Sequence, residues 1–198
     1  MMHQFSRIKT LSSLAILLAS LSLPAAAVEV SGVKIDDTAK VGGKELKLNG
    51  AGVRTKVIVK VYVAGLYLAD KKTTAADILA LPGPKRIQLV MLREVSSEDF
   101  GESFMTGMNA NSDKAEKSKI VNQTVKFGEM FASIPALKKG DVITTDWIPE
   151  SGTLIQLNGQ KIVDVLPDVA FFNALLKIWL GEKPADSSLK AAMLGGKP

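Results

Sequence analysis

The sequence predicts an α+β fold in which a large antiparallel sheet packs against a layer of helices. Three observations predict it. Short β-rich runs early in the chain are separated by turn signals. Helical periodicities are grouped rather than following every strand. An Asn158-Gly159 pair sits between alternating apolar runs. Hairpin-linked strands with clustered helices favour such a sheet over a parallel, doubly wound one.

The N-terminus MMHQFSRIKTLSSLAILLASLSLPAAA stands apart. Arg7 and Lys9 precede a short apolar run, Leu14 to Leu23, and Ala25-Ala26-Ala27 reads as an A-x-A cleavage signal. This is a secretory-signal pattern, with cleavage expected after Ala27. The run is too short and too interrupted by serine to span a bilayer, so no integral membrane span is expected after cleavage. Residues 28–198 are then expected to form a single domain of 171 residues, long enough for a substantial core.

Composition excludes whole classes of chemistry. The chain carries a formal charge of +5, which falls to +3 without the first 27 residues. It shows no basic patch interleaved with aromatics, so nucleic acid is not expected as a partner. There is no cysteine, and the one histidine, His3, lies in the signal. Thiol–imidazole and Ser–His–Asp catalysis are thus excluded, as are zinc sites built on His or Cys. No cofactor is expected.

From Val28 to Ala69 the pattern is an antiparallel meander with turns at Ser31-Gly32, Asp36-Asp37 and Gly42-Gly43. Lys44 to Arg54 alternates, with Leu46 and Leu48 on one parity. Val57 to Leu68 reads as a long strand with Val57, Val59, Val61 and Val63 on one face and Ile58, Lys60, Tyr62 and Leu66 on the other. Both faces are partly apolar, as in a central strand covered on both sides. The Ala64-Gly65 step marks a bulge or a close approach.

Thr74 to Leu81 predicts a short helix stopped by Pro82-Gly83-Pro84, and Lys85 to Glu94 returns to strand. Ser96 and Asp99 stand at capping-box spacing before a helix carrying Phe100, Phe104, Met105 and Met108. A second helix is expected from Ser112-Asp113 to a stop at Pro135, with Ile120, Val121, Phe127, Met130, Phe131 and Ile134 on its apolar face. Asp141 to Ile148 and Thr153 to Val165 read as strands. Pro167-Asp168 opens a helix through Leu180, closed by Gly181, and a last short helix is expected near Leu189. No internal repeat or second domain is visible.

Within this layout Arg54 has two readings. It is a strand-end arginine paired with an acid such as Glu94 or Asp99, or it is the one charge aimed into an apolar cleft between sheet and helices. An unbulged strand puts it on the face of Leu46 and Leu48. Tyr62 can donate to the same ligand or simply fill the strand face. Phe100, Phe104, Met105 and Met108 can line a tunnel or form core. Lys60 reads as a snorkelling surface lysine. Glu98, Asp99 and Glu102 suit a helix N-terminus, and Lys114, Lys117 and Lys119 a solvated helix face.

The run Gly50-Ala51-Gly52-Val53-Arg54, followed by a strand ending Ala64-Gly65-Leu66-Tyr67-Leu68, resembles the chalcone isomerase superfamily. Ile87-Gln88 and the Ser-Gly-Thr-Leu run before Asn158-Gly159 support the likeness, which covers roughly residues 28–182 and is closest to bacterial exported chalcone isomerase-like proteins. The resemblance implies an open-faced β-sandwich with a ligand cleft between sheet and helices. It also implies two uses for Arg54: assisting an intramolecular conjugate addition in the enzymes, or holding a lipid carboxylate in the fatty-acid-binding members. Other catalytic positions depart from the enzyme pattern. Tyr62 stands for a threonine, Phe100 for a tyrosine and Gly107 for an asparagine, and no threonine falls around Ile162–Asp164. The resemblance therefore implies a non-catalytic, monomeric periplasmic protein binding a small apolar carboxylate such as a fatty acid, with Arg54, Tyr62, Phe100 and Phe104 as ligand-binding residues. The alternatives are an isomerase of the intramolecular-lyase type, with Arg54 stabilising an enolate, and a structural envelope protein with no ligand.

Overall fold

The computed structural model describes residues 27–134 and 136–196. The expected signal through Ala26, the helix stop at Pro135, and the last two residues of the expected domain lie outside the described residues.

Seven strands form the main antiparallel sheet, in the order β11-β10-β9-β6-β5-β4-β3. In chain order these are β3 (Thr38–Val41), β4 (Lys44–Lys56), β5 (Val59–Leu68), β6 (Lys85–Met91), β9 (Val142–Ile148), β10 (Gly152–Leu157) and β11 (Gln160–Lys161). Two short pairs stand outside it: β1 (Ala27–Val30) with β2 (Val33–Asp36), and β7 (Val95–Ser96) with β8 (Ala136–Leu137). Six helices complete the fold: α1 (Ala75–Ala80), α2 (Ser97–Asn111), α3 (Lys114–Lys119), α4 (Val121–Ser133), α5 (Val169–Leu180) and α6 (Ser187–Met193). No helix among the described residues is long and apolar enough to cross a membrane. This is the expected α+β architecture, a large antiparallel sheet with its helices packed on one face.

The sheet buries both faces. Tyr62, Leu66, Ile87 and Leu89 face the helices and join one core with Phe100, Phe131, Phe171 and Leu175. Leu46, Leu48, Val63 and Tyr67 face the other way and pack with Val30 and Ile35 of the β1–β2 hairpin. On that second face Arg86 and Asp146 are register partners on adjacent strands, joined by two charge-assisted hydrogen bonds of 2.6 Å. The bidentate contact raises the Arg86 pKa, and it keeps a buried charge pair tolerable where a single charge would not be. Tyr67 donates to the Asp36 carbonyl at 3.0 Å, fastening β2 across the same row.

Local signals were obeyed where the partners are local. Thr74, Ser96 and Asp168 each accept from a backbone N–H at the start of α1, α2 and α5. Asn158 and Gly159 both take positive φ, as a two-residue primed hairpin turn requires. The strand expected to Val165 is shorter: continuous pairing ends at Lys161, and the chain returns only as a single bridge between Leu166 and Thr153. The reciprocal capping box falls at Asp113 and Glu116, not at Ser96, whose hydroxyl instead donates to the Asp99 carboxylate.

Three further expectations are corrected. The single helix from Ser112-Asp113 is two, broken at Ile120, which is buried while α3 buries no residue. Lys177 of α5 pairs with Glu116 and holds α3 on the surface. Val121, placed on the apolar face by period, is 54% exposed, because the break rotates it outward. The strand expected from Val57 starts at Val59, and Val57-Ile58 forms the turn between β4 and β5.

The third correction matters most for the site. Ala64-Gly65 pairs without a shift, while β4 slips at Asn49 and β5 slips at Val61. One extra residue reverses the alternation of a strand. After Asn49, therefore, Gly50, Gly52 and Arg54 face the helices, opposite to Leu46 and Leu48. The Asn49 side chain is buried and fully engaged. Its amide donates to the Met193 carbonyl at 2.7 Å and the Lys72 carbonyl at 2.9 Å, and its oxygen accepts from the Lys72 N–H at 2.8 Å.

Asn49→Ala removes these bonds and leaves buried backbone groups without partners. The expected loss is about 3 kcal/mol of folding stability, measured by urea unfolding. A loss within experimental error would mean that the bulge is held by packing alone.

Candidate functional site

The end of β4 is clamped by α6. A Cβ at Gly50 would stand 2.0 Å from the Ala192 carbonyl oxygen, and one at Gly52 would stand 2.8 Å from the Ala192 Cβ. Only glycine lets the helix lie this close to the strand. At the far end Asp186 caps α6 through Ser188 and Leu189 and also accepts from the Thr55 N–H at 2.9 Å. Burial pushes the Asp186 carboxyl up, but these backbone donors and the Arg54 charge hold it below the usual range. Between the clamped ends, Arg54 is the register partner of Tyr62 on β5. The two side chains emerge together on the helix-facing side.

They emerge into a cleft of about 560 Å³ between the β4–β5 hairpin and α2. Arg54, Tyr62, Phe100 and Phe104 all line it, so the four candidate residues meet in one place. Val61 and Ile178 add apolar wall, while Arg93, Glu94, Asp99 and Ser103 lie along the rim. The volume and the mix of apolar wall with few polar groups are those of a small-molecule site.

The polar groups are few and differently committed. One Arg54 N–H donates to its neighbour's carbonyl, Thr55 O, at 3.2 Å. Among the described residues no carboxylate lies within ion-pair distance of Arg54, and neither Glu94 nor Asp99 pairs with it. Asp99 is engaged with Ser96. The guanidinium fork thus retains donors for an oxyanion in the cleft. Tyr62 accepts from the Trp179 indole N–H at 3.0 Å and still holds its own O–H to donate. Burial raises the Tyr62 pKa, with Trp179 and Arg54 opposing the rise, so the phenol stays neutral.

Behind the wall the aromatics form a closed ring. Tyr62 meets Phe100 edge-on at 6.1 Å, Phe100 stacks tilted on Phe104 at 4.6 Å, and Phe104 meets Trp179 edge-on at 5.4 Å. The Trp179–Tyr62 hydrogen bond completes the ring. Phe100 and Phe104 are therefore both core and cleft wall, and Met108 is core. Trp179 is the site residue that sequence reasoning missed. It lies 117 residues from Tyr62, and no local signal links them. Gly107, where the enzymes' asparagine is expected, is packed against Ile178: a Cβ there would stand 2.9 Å from Ile178 Cγ2, so a side chain would have to displace it. Lys60 donates to Ser31 at the surface, and Glu98, Asp99, Glu102, Lys114, Lys117 and Lys119 are exposed. Among the described residues no group of His, Cys, Asp or Glu is placed to hold a metal ion.

The family described as chalcone isomerase-like matches residues 27–195. Among solved structures, a fatty-acid binding protein of Arabidopsis thaliana superposes with a TM-score of 0.67 at 15% identity, covering 85% of this chain and 96% of that one. No curated protein matches the chain.

The chain's two tyrosines provide a test of the site. Burial, with Asp36 and Asp37 adding and Arg86 opposing, pushes Tyr67 up to about 12, and Tyr62 is raised as well. At about pH 10, where free phenols are half ionised, the native protein should show almost no tyrosinate absorbance. The unfolded chain releases phenol protons there that the fold retains, so stability should fall as pH rises from about 10 towards 12. A tyrosine half ionised at about pH 10 in the native state would contradict this arrangement.

Proposed function

The chain belongs to the chalcone isomerase-like family, and from that premise we propose that it is a non-catalytic binding protein for a small apolar carboxylate such as a fatty acid. The carboxylate meets the Arg54 guanidinium and the Tyr62 hydroxyl, and the hydrocarbon lies along Phe100, Phe104, Val61 and Ile178. The observation that carries this reading is Arg54 itself, which faces an apolar cleft with no carboxylate partner in ion-pair reach among the described residues. A planar fork with free donors suits a carboxylate, and an apolar wall suits the chain attached to it. The fatty-acid binding of the Arabidopsis protein agrees with this chemistry.

An isomerase would need several fixed donors around the substrate oxygen, each worth about 10²–10³ in rate. Here Ile178 fills the space beside Gly107, Phe100 offers no hydroxyl, and Ser96 is bonded to Asp99. The N-terminal signal pattern supports export, and the proposed place of action is the periplasm.

Native mass spectrometry of protein recovered from the cell envelope should detect a bound fatty acid that is absent from Arg54→Ala. Titration with decanoate should show affinity falling about 10- to 100-fold in Arg54→Ala, the worth of a charge-assisted bidentate contact. Arg54→Lys should lie between, keeping charge but losing the fork. Equal affinity in wild type and Arg54→Ala, or no binding in either, would overturn the proposal.

A further inference from the structure

The turn at the mouth of the cleft is anomalous in two independent ways. Val57 is 93% exposed and Ile58 87%, whereas the next most exposed large apolar side chains among the described residues, Val125 and Val121, reach 55% and 54%. Val57 also has φ of +61°, the left-handed region, which a β-branched residue strongly disfavours. Lys56 pairs with Val59, so Val57-Ile58 is a two-residue hairpin turn, a place where glycine ordinarily takes the positive φ. The tip is thus neither buried nor conformationally relaxed. Such a segment points to a use other than stability.

Its surroundings say which use. The run Lys56-Val57-Ile58-Val59-Lys60 is exposed throughout, so an apolar tip is bracketed by two cations. Lys56, Val57, Ile58 and Val59 also form one wall of the cleft that holds Arg54. Arg93 adds positive charge on the facing rim. The opposing acids there are Glu94 and Asp99, and Asp99 is bonded to Ser96. An apolar point flanked by lysines is complementary to a bilayer surface with anionic headgroups, where the apolar residues enter the acyl boundary and the lysines meet phosphate.

We propose that the β4–β5 tip is a membrane wedge. It docks the cleft mouth on an anionic lipid surface, so that an amphiphilic ligand passes between bilayer and Arg54 without crossing bulk water. This rests on reading the cleft as the site of an amphiphilic carboxylate. The contact is small, two apolar side chains and two lysines, so docking is reversible and weakens with salt.

The test is cosedimentation of the protein, as processed by the cell, with vesicles of mixed phosphatidylglycerol and phosphatidylcholine and with vesicles of phosphatidylcholine alone. Wild type should favour the anionic vesicles. Val57→Gly with Ile58→Asn, which supplies the residues this turn ordinarily takes, should bind them about tenfold or more weakly. Its urea midpoint should be no lower than that of wild type, so the loss is not unfolding. Lys56→Gln with Lys60→Gln should erase the preference for anionic lipid. No vesicle binding by wild type, or equal binding by the tip variant, overturns the proposal. Recruitment to native membranes but not to protein-free vesicles overturns it in favour of a protein partner. Decanoate binding by wild type in vesicle-free buffer judges the cleft reading by itself. If decanoate fails while tip-dependent vesicle binding persists, the cleft reading falls and the ligand passage with it, and only the membrane docking of the tip stands.

Discussion

The architecture of the site hangs on the extra residue at Asn49. A regular β4 would carry Arg54 to the face of Leu46 and Leu48, under the β1–β2 hairpin. The slip turns the strand over, and the buried Asn49 side chain holds it by bonding to the end of α6 and to Lys72. Everything downstream follows from that reversal. Gly50 and Gly52 now face the helical layer, and α6 can lie against bare backbone. Asp186 then reaches Thr55 and fixes the other end. The Gly-x-Gly-x-Arg run is therefore a unit: a docking strip for one helix, ending in a guanidinium aimed at a cleft.

The cleft is built by economy of polar groups. A buried polar atom without a partner is costly, and several of the polar groups at and beside the cleft are already committed. The Tyr62 oxygen is occupied by Trp179, Ser96 and Asp99 engage one another, and Asp186 is spent on backbone N–H groups. Arg54 keeps most of its fork free, which is tolerable because it sits partly exposed at the cleft. The aromatic ring behind Tyr62 fixes the wall on which an apolar chain would lie, and Ile178 closes the space above Gly107. The same packing that makes a firm core removes the donors that a reaction would need.

The two faces of the sheet divide the labour. On the second face the Tyr67 hydroxyl fastens the β1–β2 hairpin, and the Arg86–Asp146 pair ties β6 to β9. On the helix face the cleft opens towards the β4–β5 tip, where a strained valine and an exposed isoleucine stand at the mouth. Rigidity behind and an apolar lip in front suit a site that must be both shaped and reachable.

What could be read from the sequence was whatever depends on near neighbours. Thr74, Ser96, Asp168 and Gly181 mark helix ends because caps bond within three or four residues, and Asn158-Gly159 marks a turn because positive φ is a property of those residues. The grouping of strands and helices gave the α+β class, and the resemblance to the chalcone isomerase superfamily drew attention to Arg54, Tyr62, Phe100 and Phe104. Three things were decided only by the tertiary structure: which face Arg54 occupies, that Trp179 holds Tyr62, and where the helix after Ser112 breaks. The slip at Asn49 is stabilised by Met193, 144 residues away, and the Tyr62 hydroxyl by a residue 117 positions distant. Side-chain alternation counts residues along a strand, and a single bulge held by a distant partner reverses the count.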